Sequence, residues 1–388
     1  MAGIPAWFSR ASCFSALLVL AYPAHGAWTL VPSPNGEGRR SALNAVAAVS
    51  PDDVWAVGVA TPADSGVPQT LIEHWDGLSW SIVPSPNRPG RDAQNVLQGV
   101  TAVASDDAWA VGYSVDLDRP TIYSTLTLHW DGVSWTIVPS PNLEQAPHAY
   151  NALRGVSAVA SDDIWAVGGA PVADSGRAIF MHWDGGDWSL FPAPPEMMFW
   201  FDSSRVAVVA IASDDAWSIG PGDSTHWDGV SWSVVGGAQS EAAIAAAGPT
   251  AVSAVGSYTT YDEGEYFGPF TMAARWTGDR WLSTPSRSPL WDDNFAGVAV
   301  IADGDVWGVG RSGRLTLTEH WDGTSWSVVP SPNGNPNPPA GRWFANWLLG
   351  AAALASDDVW AVGYFFESDA VTQRTLILHW DGAAEPPP

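Results

Sequence analysis

Lysine is absent from this 388-residue chain. All 16 basic residues are arginines, against 41 aspartates and glutamates, for a formal net charge of −25. Proteins hold nucleic acids and anionic membranes by neutralising phosphates with Lys and Arg, so neither is an expected partner. Cysteine is nearly absent as well. The one copy, Cys13, lies inside an apolar run from Ala11 to Tyr22. Arg10 precedes that run and Ala24-His25-Gly26 follows it, the pattern of a secretory signal cleaved before Ala27. The run is too short to span a bilayer, and no later stretch is apolar enough to do so. An uncleaved N-terminal anchor is the alternative. Arg10-Ala11-Ser12-Cys13 lacks the apolar residue that a lipoprotein signal carries three places before its cysteine. Residues 1–26 are read as the signal, 27–383 as one domain and 384–388 as a short Pro-rich tail. The protein is expected to be secreted, periplasmic or part of the cell envelope. Its mature form would have no disulfide, thiol nucleophile or thiolate metal site.

What is abundant is tryptophan, at 25 residues, and it recurs in register. The clearest copy of the pattern runs from Leu97 to Asn142. It reads Gly-Val-Thr-Ala-Val-Ala, then Ser105-Asp106-Asp107, then Ala108-Trp109-Ala110-Val111-Gly112. After a variable loop come Leu126-Thr127-Leu128-His129-Trp130-Asp131-Gly132, Val133-Ser134-Trp135 and Pro139-Ser140-Pro141-Asn142. His-Trp-Asp-Gly returns with its Trp at 75, 130, 183, 227, 321 and 380. Arg275-Trp276-Thr277-Gly278 stands in the same place in a degenerate copy that also lacks the earlier Trp. Repeats of roughly 50 residues built from short Val-, Ile- and Trp-rich runs between Asp, Gly and Pro turns are propeller blades. The fold expected is all-β, a seven-bladed β-propeller of four-stranded antiparallel blades.

The two ends of the chain complete each other. Ala27-Trp28-Thr29-Leu30-Val31-Pro32-Ser33-Pro34-Asn35 matches a last strand with nothing before it, whereas the seventh copy stops after His379-Trp380-Asp381-Gly382 without one. An N-terminal strand is therefore expected to complete the last blade, which removes the open sheet edges of a solenoid.

The same alternation places function. In a four-stranded antiparallel blade the first and third turns lie on one face, and the middle loop and the links between blades lie on the other. Here the first set is short and uniform and the second is long and different in each copy, so binding is expected on the variable face. The repeated histidines (74, 129, 182, 226, 320 and 379) sit one per blade. They are expected to make hydrogen bonds within blades rather than gather round a metal. The repeated Asp pairs are expected to be turn residues. Aromatics outside the repeat are the candidate ligand-binding residues: Trp200, Tyr258, Tyr261, Phe267, Trp291, Trp343 and Trp347. Such rings stack on sugars or anchor protein partners; local packing is the competing role. No cofactor is expected. Asp262-Glu263-Gly264-Glu265 has the oxygens for Ca²⁺, with solvated charge as the plainer reading. The unrepeated carboxylates form no catalytic motif.

Asp-Val-Trp-Ala-Val-Gly followed by His-Trp-Asp-Gly-x-Ser-Trp resembles the blades of secreted bacterial propeller-repeat proteins. It is more distantly similar to tectonin-type lectin repeats, and to Kelch and Asp-box blades. It lacks the regular Gly-Gly doublet of Kelch blades and is one residue short of the Asp-box spacing. The resemblance covers Ala27 to Gly382 and implies the fold more than any activity. It leaves two functional expectations. One is a secreted, monomeric, non-catalytic binding propeller for a glycan or an envelope protein. The other is a secreted polysaccharide hydrolase or lyase, which would need unrepeated carboxylates such as Asp116, Asp118, Asp262, Asp292 and Glu367 to converge.

Overall fold

The computed structural model describes residues 26–384 apart from 37, 91–92, 117–121, 144–149, 173–174, 195–206, 221–222, 239–240, 263–264, 287–291 and 342–343. Residues 1–25 of the proposed signal and 385–388 of the proposed tail fall outside the described residues, whereas Gly26 and Ala384 lie in paired strands. The described residues contain 28 β-strands and no helix. Five four-stranded antiparallel sheets follow one another in strand order. An eight-stranded sheet holds the two remaining units, joined only by the parallel bridge Arg40↔Gln373. The repeating units thus span 40–82, 94–138, 152–191, 207–234, 241–283, 293–328 and 347–384. They are called units one to seven below.

Unit seven has three strands of its own. Its fourth is Gly26–Leu30, which pairs antiparallel with Gln373–Ala384 through Trp28↔Trp380 and Leu30↔Leu378. The first strands touch one another in order from unit one to unit seven, and that of unit seven touches that of unit one. Glycines permit this approach. A Cβ on Gly99 would sit 3.0 Å from the carbonyl oxygen of Arg154 in unit three. One on Gly350 would sit 3.0 Å from Cα of Ala45 in unit one.

The core lies between units rather than inside any one. Second strands are buried on both faces, as Asp53–Thr61 is over most of its length. Trp55, Val57 and Ile72 of unit one pack with Leu97, Leu128 and Trp135 of unit two. Each interface except that of units five and six centres on three tryptophans. The second-strand Trp of one unit meets the third- and fourth-strand Trps of the next: Trp55 with Trp130 and Trp135 at 5.1 and 5.3 Å, Trp109 with Trp183 and Trp188 at 4.8 and 5.5 Å. The unit completed by the N-terminal strand follows the same rule, with Trp307 of unit six against Trp380 at 4.7 Å and Trp28 at 5.2 Å. A buried Trp removes roughly 150–250 Å² from water, about 4–6 kcal/mol gross at ~25 cal/mol/Å² and an upper bound before chain entropy. Ser253 stands where unit five would carry its second-strand Trp, and pairs with Arg275 where the other units pair Trp with His.

Unit five departs from the sequence reading. The stretch around Tyr258, Tyr261 and Phe267 is not loop. It belongs to a long hairpin, Ala251–Asp262 and Glu265–Trp276, with Tyr258↔Phe270, Thr260↔Phe267 and Tyr261↔Tyr266 in register. The cross-strand ring pair Tyr258–Phe270 supports the extension, whose last described pair is Asp262↔Glu265.

Candidate functional site

The repeated residues account for one another as scaffold. In six units the His of His-Trp-Asp-Gly donates from Nε2 to the second Asp of the Asp pair, at 2.8–3.0 Å. The imidazole also lies against the second-strand Trp, as His74 does on Trp55 at 4.2 Å. The Trp that follows donates its indole N–H to the backbone carbonyl before that pair, Trp75 to Pro51 and Trp130 to Ser105, both at 3.1 Å. The next Asp closes its own turn. Asp76 accepts from the backbone N–H of Leu78 and Ser79 at 2.9 and 2.8 Å, which holds its carboxyl below the ordinary value. Pro-Ser-Pro-Asn is a clamp: Asn87, Asn142 and Asn333 accept from the backbone N–H of Thr70, Thr125 and Thr316 at 2.8–2.9 Å. Asn35 does the same to Thr375 at 2.9 Å, so the N-terminal segment is tied across the seam.

The variable half of the fold holds a cavity of about 380 Å³ on the ring axis. A recurring β-bulge builds it. Pairing between first and second strands slips twice in units one, two, three, five, six and seven, and the first of the two slips builds the cavity. The residues skipped at that first slip are Asn44, Gln98, Arg154, Ala242, Ala296 and Leu349. All six line the cavity and are half-buried. In unit four the corresponding residue, 206, lies outside the described residues. A bulge adds one residue to one strand and re-aims its side chain. The Gly of Trp-Ala-Val-Gly makes room for it, because a Cβ on Gly112 would overlap the carbonyl oxygen of Val96.

The six side chains divide the wall. Asn44, Gln98 and Arg154 occupy three adjacent units, and Ala242, Ala296 and Leu349 occupy the opposite three. The Asn44 amide donates to the carbonyl of Leu97 at 2.7 Å, which fixes its orientation. Beside Arg154, between units two and three, Tyr113, Tyr123 and Tyr150 form a chain of rings at 5.2 and 4.7 Å. Burial raises the Tyr113 phenol, and the positive charge of Arg154 pulls it part of the way back. None of these residues stood out in the sequence, because each occupies an ordinary blade position. The available signal was the variation at one otherwise uniform place, just before Gly99 and its counterparts.

Of the aromatics singled out from the sequence, Trp200, Trp291 and Trp343 lie outside the described residues. Tyr261 and Phe267 are placed in the unit-five hairpin by their backbone alone. Tyr258, on the same hairpin, is 42% exposed and packs on Phe270 at 5.5 Å. Trp347 opens the strand Trp347–Ala355 and lines the cavity. The guanidinium of Arg311 lies 4.3 Å over its ring, and Tyr364 stacks at 6.5 Å. Arg311 is in turn buried and held by Asp292 at 2.7 and 3.0 Å. Among the described members of this set, Trp347 is the one that lines the axial cavity. The structure does not gather the described carboxylates there. Asp292 pairs with Arg311, and Glu367 pairs with Arg374 at 2.8 Å. Among the described residues no group of three His, Asp or Glu side chains is placed to hold a metal ion.

No protein-family model matches the chain, and no curated protein does. Solved structures do. YCF48 bound to D1 peptide is 13% identical, with a TM-score of 0.52 over 95% of this chain and 99% of that one. The polysaccharide lyase Uly1 is 9% identical, with a TM-score of 0.52 over 92% and 97%. The α-L-arabinofuranosidase Arb93A from Fusarium graminearum, in complex with an iminosugar inhibitor, is 9% identical with a TM-score of 0.50 over 91% and 97%. At these identities the likeness shows the fold: an all-β chain of repeated four-stranded sheets, of the β-propeller kind.

Proposed function

We propose that the protein is a secreted, non-catalytic glycan-binding propeller. Its seven units are seven blades, closed by the N-terminal strand. Its ligand enters from the variable loop face toward the axis. One observation carries this reading. The axial cavity is walled by amides, a guanidinium, an indole and small apolar groups, and the described residues lining it include no carboxylate. That is a wall for recognising hydroxyl-rich rings. A glycoside hydrolase would instead need two carboxyls facing one bond. The neighbouring polysaccharide lyase and α-L-arabinofuranosidase support a carbohydrate ligand, while YCF48 with its peptide keeps an envelope protein as the alternative partner. Trp347 lies in this wall, and Trp200, Tyr258, Tyr261, Phe267, Trp291 and Trp343 are the further candidate stacking residues. Export would follow cleavage before Ala27, and the closed ring leaves a monomer self-sufficient.

The test is a glycan array probed with residues 27–388, repeated with Trp291→Ala and Trp343→Ala. Binding to a defined glycan class, weakened by either change, is the expected result. Silence across the array at high protein concentration would reject the glycan reading.

A further inference from the structure

The N-terminal strand carries an inference about the order of export and folding, which rests on the reading that the chain is cut before Ala27. The bond to be cut lies inside a paired strand. Gly26 pairs with Ala384, and Trp28, Thr29 and Leu30 pair with Trp380, His379 and Leu378. At Gly26 the two segments nearly touch, since a Cβ there would sit 2.6 Å from both the Cα and the carbonyl carbon of Gly382. Two residues on, Trp28 is 4% exposed and packs between Trp307 and Trp380, at 5.2 and 6.0 Å. A peptidase needs the residues on both sides of its target bond as an extended segment, held in its own cleft. Here another segment of the chain already holds them, so the closed ring shields the junction.

The ties that hold the strand fall almost entirely on one side of that bond. The Thr29 hydroxyl donates to the carbonyl of His379 at 3.1 Å, the Val31 N–H donates to that of Ile377 at 3.0 Å, and Asn35 accepts from the Thr375 N–H at 2.9 Å. A cut before Ala27 keeps all of these and removes only the Gly26 pair from the strand register. The partners are also the last to be made, because Thr29 and His379 are 350 residues apart. A chain exported from its N-terminus holds this strand unpaired until the segment Gln373–Ala384 arrives. Pro23, Ala24 and His25 alone separate the apolar run Ala11–Tyr22 from Gly26, a reach of about 10 Å. Closure on an uncut chain would bring the exposed Asp357 and Asp381, beside the junction, toward an anionic membrane surface that repels them. We propose that the strand is a latch set by export. A signal peptidase hydrolyses the Gly26–Ala27 bond with water, leaving the carboxyl on Gly26 and the amine on Ala27. Docking of Ala27–Leu30 into unit seven then closes the ring.

The full chain, residues 1–388, and a purified signal peptidase in detergent test the order, with the cut read by mass spectrometry. Chain diluted from urea straight into the peptidase is expected to be cut between residues 26 and 27. Chain refolded before the peptidase is added should be cut at least about tenfold more slowly, because cleavage follows the fraction of molecules whose strand is open. Trp28→Ala loosens the strand and should restore fast cutting of the refolded chain. Gly26→Ala supplies an independent reading if Trp28→Ala folds poorly. Its methyl group meets Gly382 and should remove the protection, while cutting of the freshly diluted chain stays unchanged. Residues 27–388 refolded alone should reach the tryptophan fluorescence of the cut chain. Equal rates before and after refolding would overturn the order and leave the cleavage reading intact. Failure of residues 27–388 to close, where the full chain does, would overturn it from the other side. Absence of a cut between 26 and 27 in the freshly diluted chain would remove the cleavage reading itself, and the order with it.

Discussion

Glu73 lies at the seam where the ring closes, and it makes stability depend on pH. Its side chain is fully buried in the third strand of unit one. Ser33, on the segment that follows the N-terminal strand, donates to its Oε2 at 2.8 Å, and the Ser33 hydroxyl also meets that of Thr375 at 2.7 Å. Oε1 is buried without a hydrogen-bond partner among the described residues. Burial pushes the carboxyl up from 4.5 to about 8, against a smaller lowering by Ser33. Between these values the unfolded chain releases a proton that the folded chain keeps, so stability falls as pH rises through that window. The stabilisation is fully present below about pH 4.5 and lost by about pH 8. At ~1.4 kcal/mol per pH unit the span corresponds to an upper bound of roughly 5 kcal/mol. Glu73→Gln keeps the shape and removes the titration. The urea midpoint, followed by tryptophan fluorescence, should fall between pH 4.5 and 8 for the wild type and stay nearly level for the variant. The variant should be the more stable at pH 8. On the acid side both should weaken together, because Asp76, Asp131, Asp184, Asp228 and Asp322 are held low by turn N–H groups and lose those bonds on protonation. Parallel curves for the two proteins between pH 4.5 and 8 would refute the reasoning.

Two further outcomes follow from the packing. Trp28→Ala empties a buried site between Trp307 and Trp380 and should cost about 3–5 kcal/mol. It should also speed proteolytic removal of the first strand, read by mass spectrometry of limited digests; unchanged digestion would mean that the strand does not latch the ring. Gly112→Ala drives a methyl into the Val96 carbonyl and should lower the thermal midpoint by several degrees, as backbone strain of about 1–3 kcal/mol would. Ser134→Ala, at an exposed position in the uniform turn of the same unit, serves as the neutral control.

The recurring His, Asp and turn Gly were legible as scaffold because each acts inside its own repeat. His129 needs only Asp107, and Asp131 needs only the N–H groups of Val133 and Ser134. Local chemistry of that kind survives in a linear pattern, and so does the strand at Trp28 that unit seven lacks. The unit-five hairpin was less legible. Tyr258 and Phe270 support each other only once their strands are paired, and either sequence alone also suits a loop. The axial cavity was not legible at all. Asn44, Gln98 and Arg154 are 54 and 56 residues apart in sequence and resemble ordinary strand positions.

A repeated four-stranded β architecture and the N-terminal strand that pairs with the last unit could be read from the sequence, because spacing and side-chain type encode strands and turns directly. Tertiary structure alone decided what meets at the axis. Ring closure brings the first strands together, and the bulge turns one residue of each toward a common space. Only that geometry sets Arg154 beside Gln98 and Asn44, across from Ala242, Ala296 and Leu349.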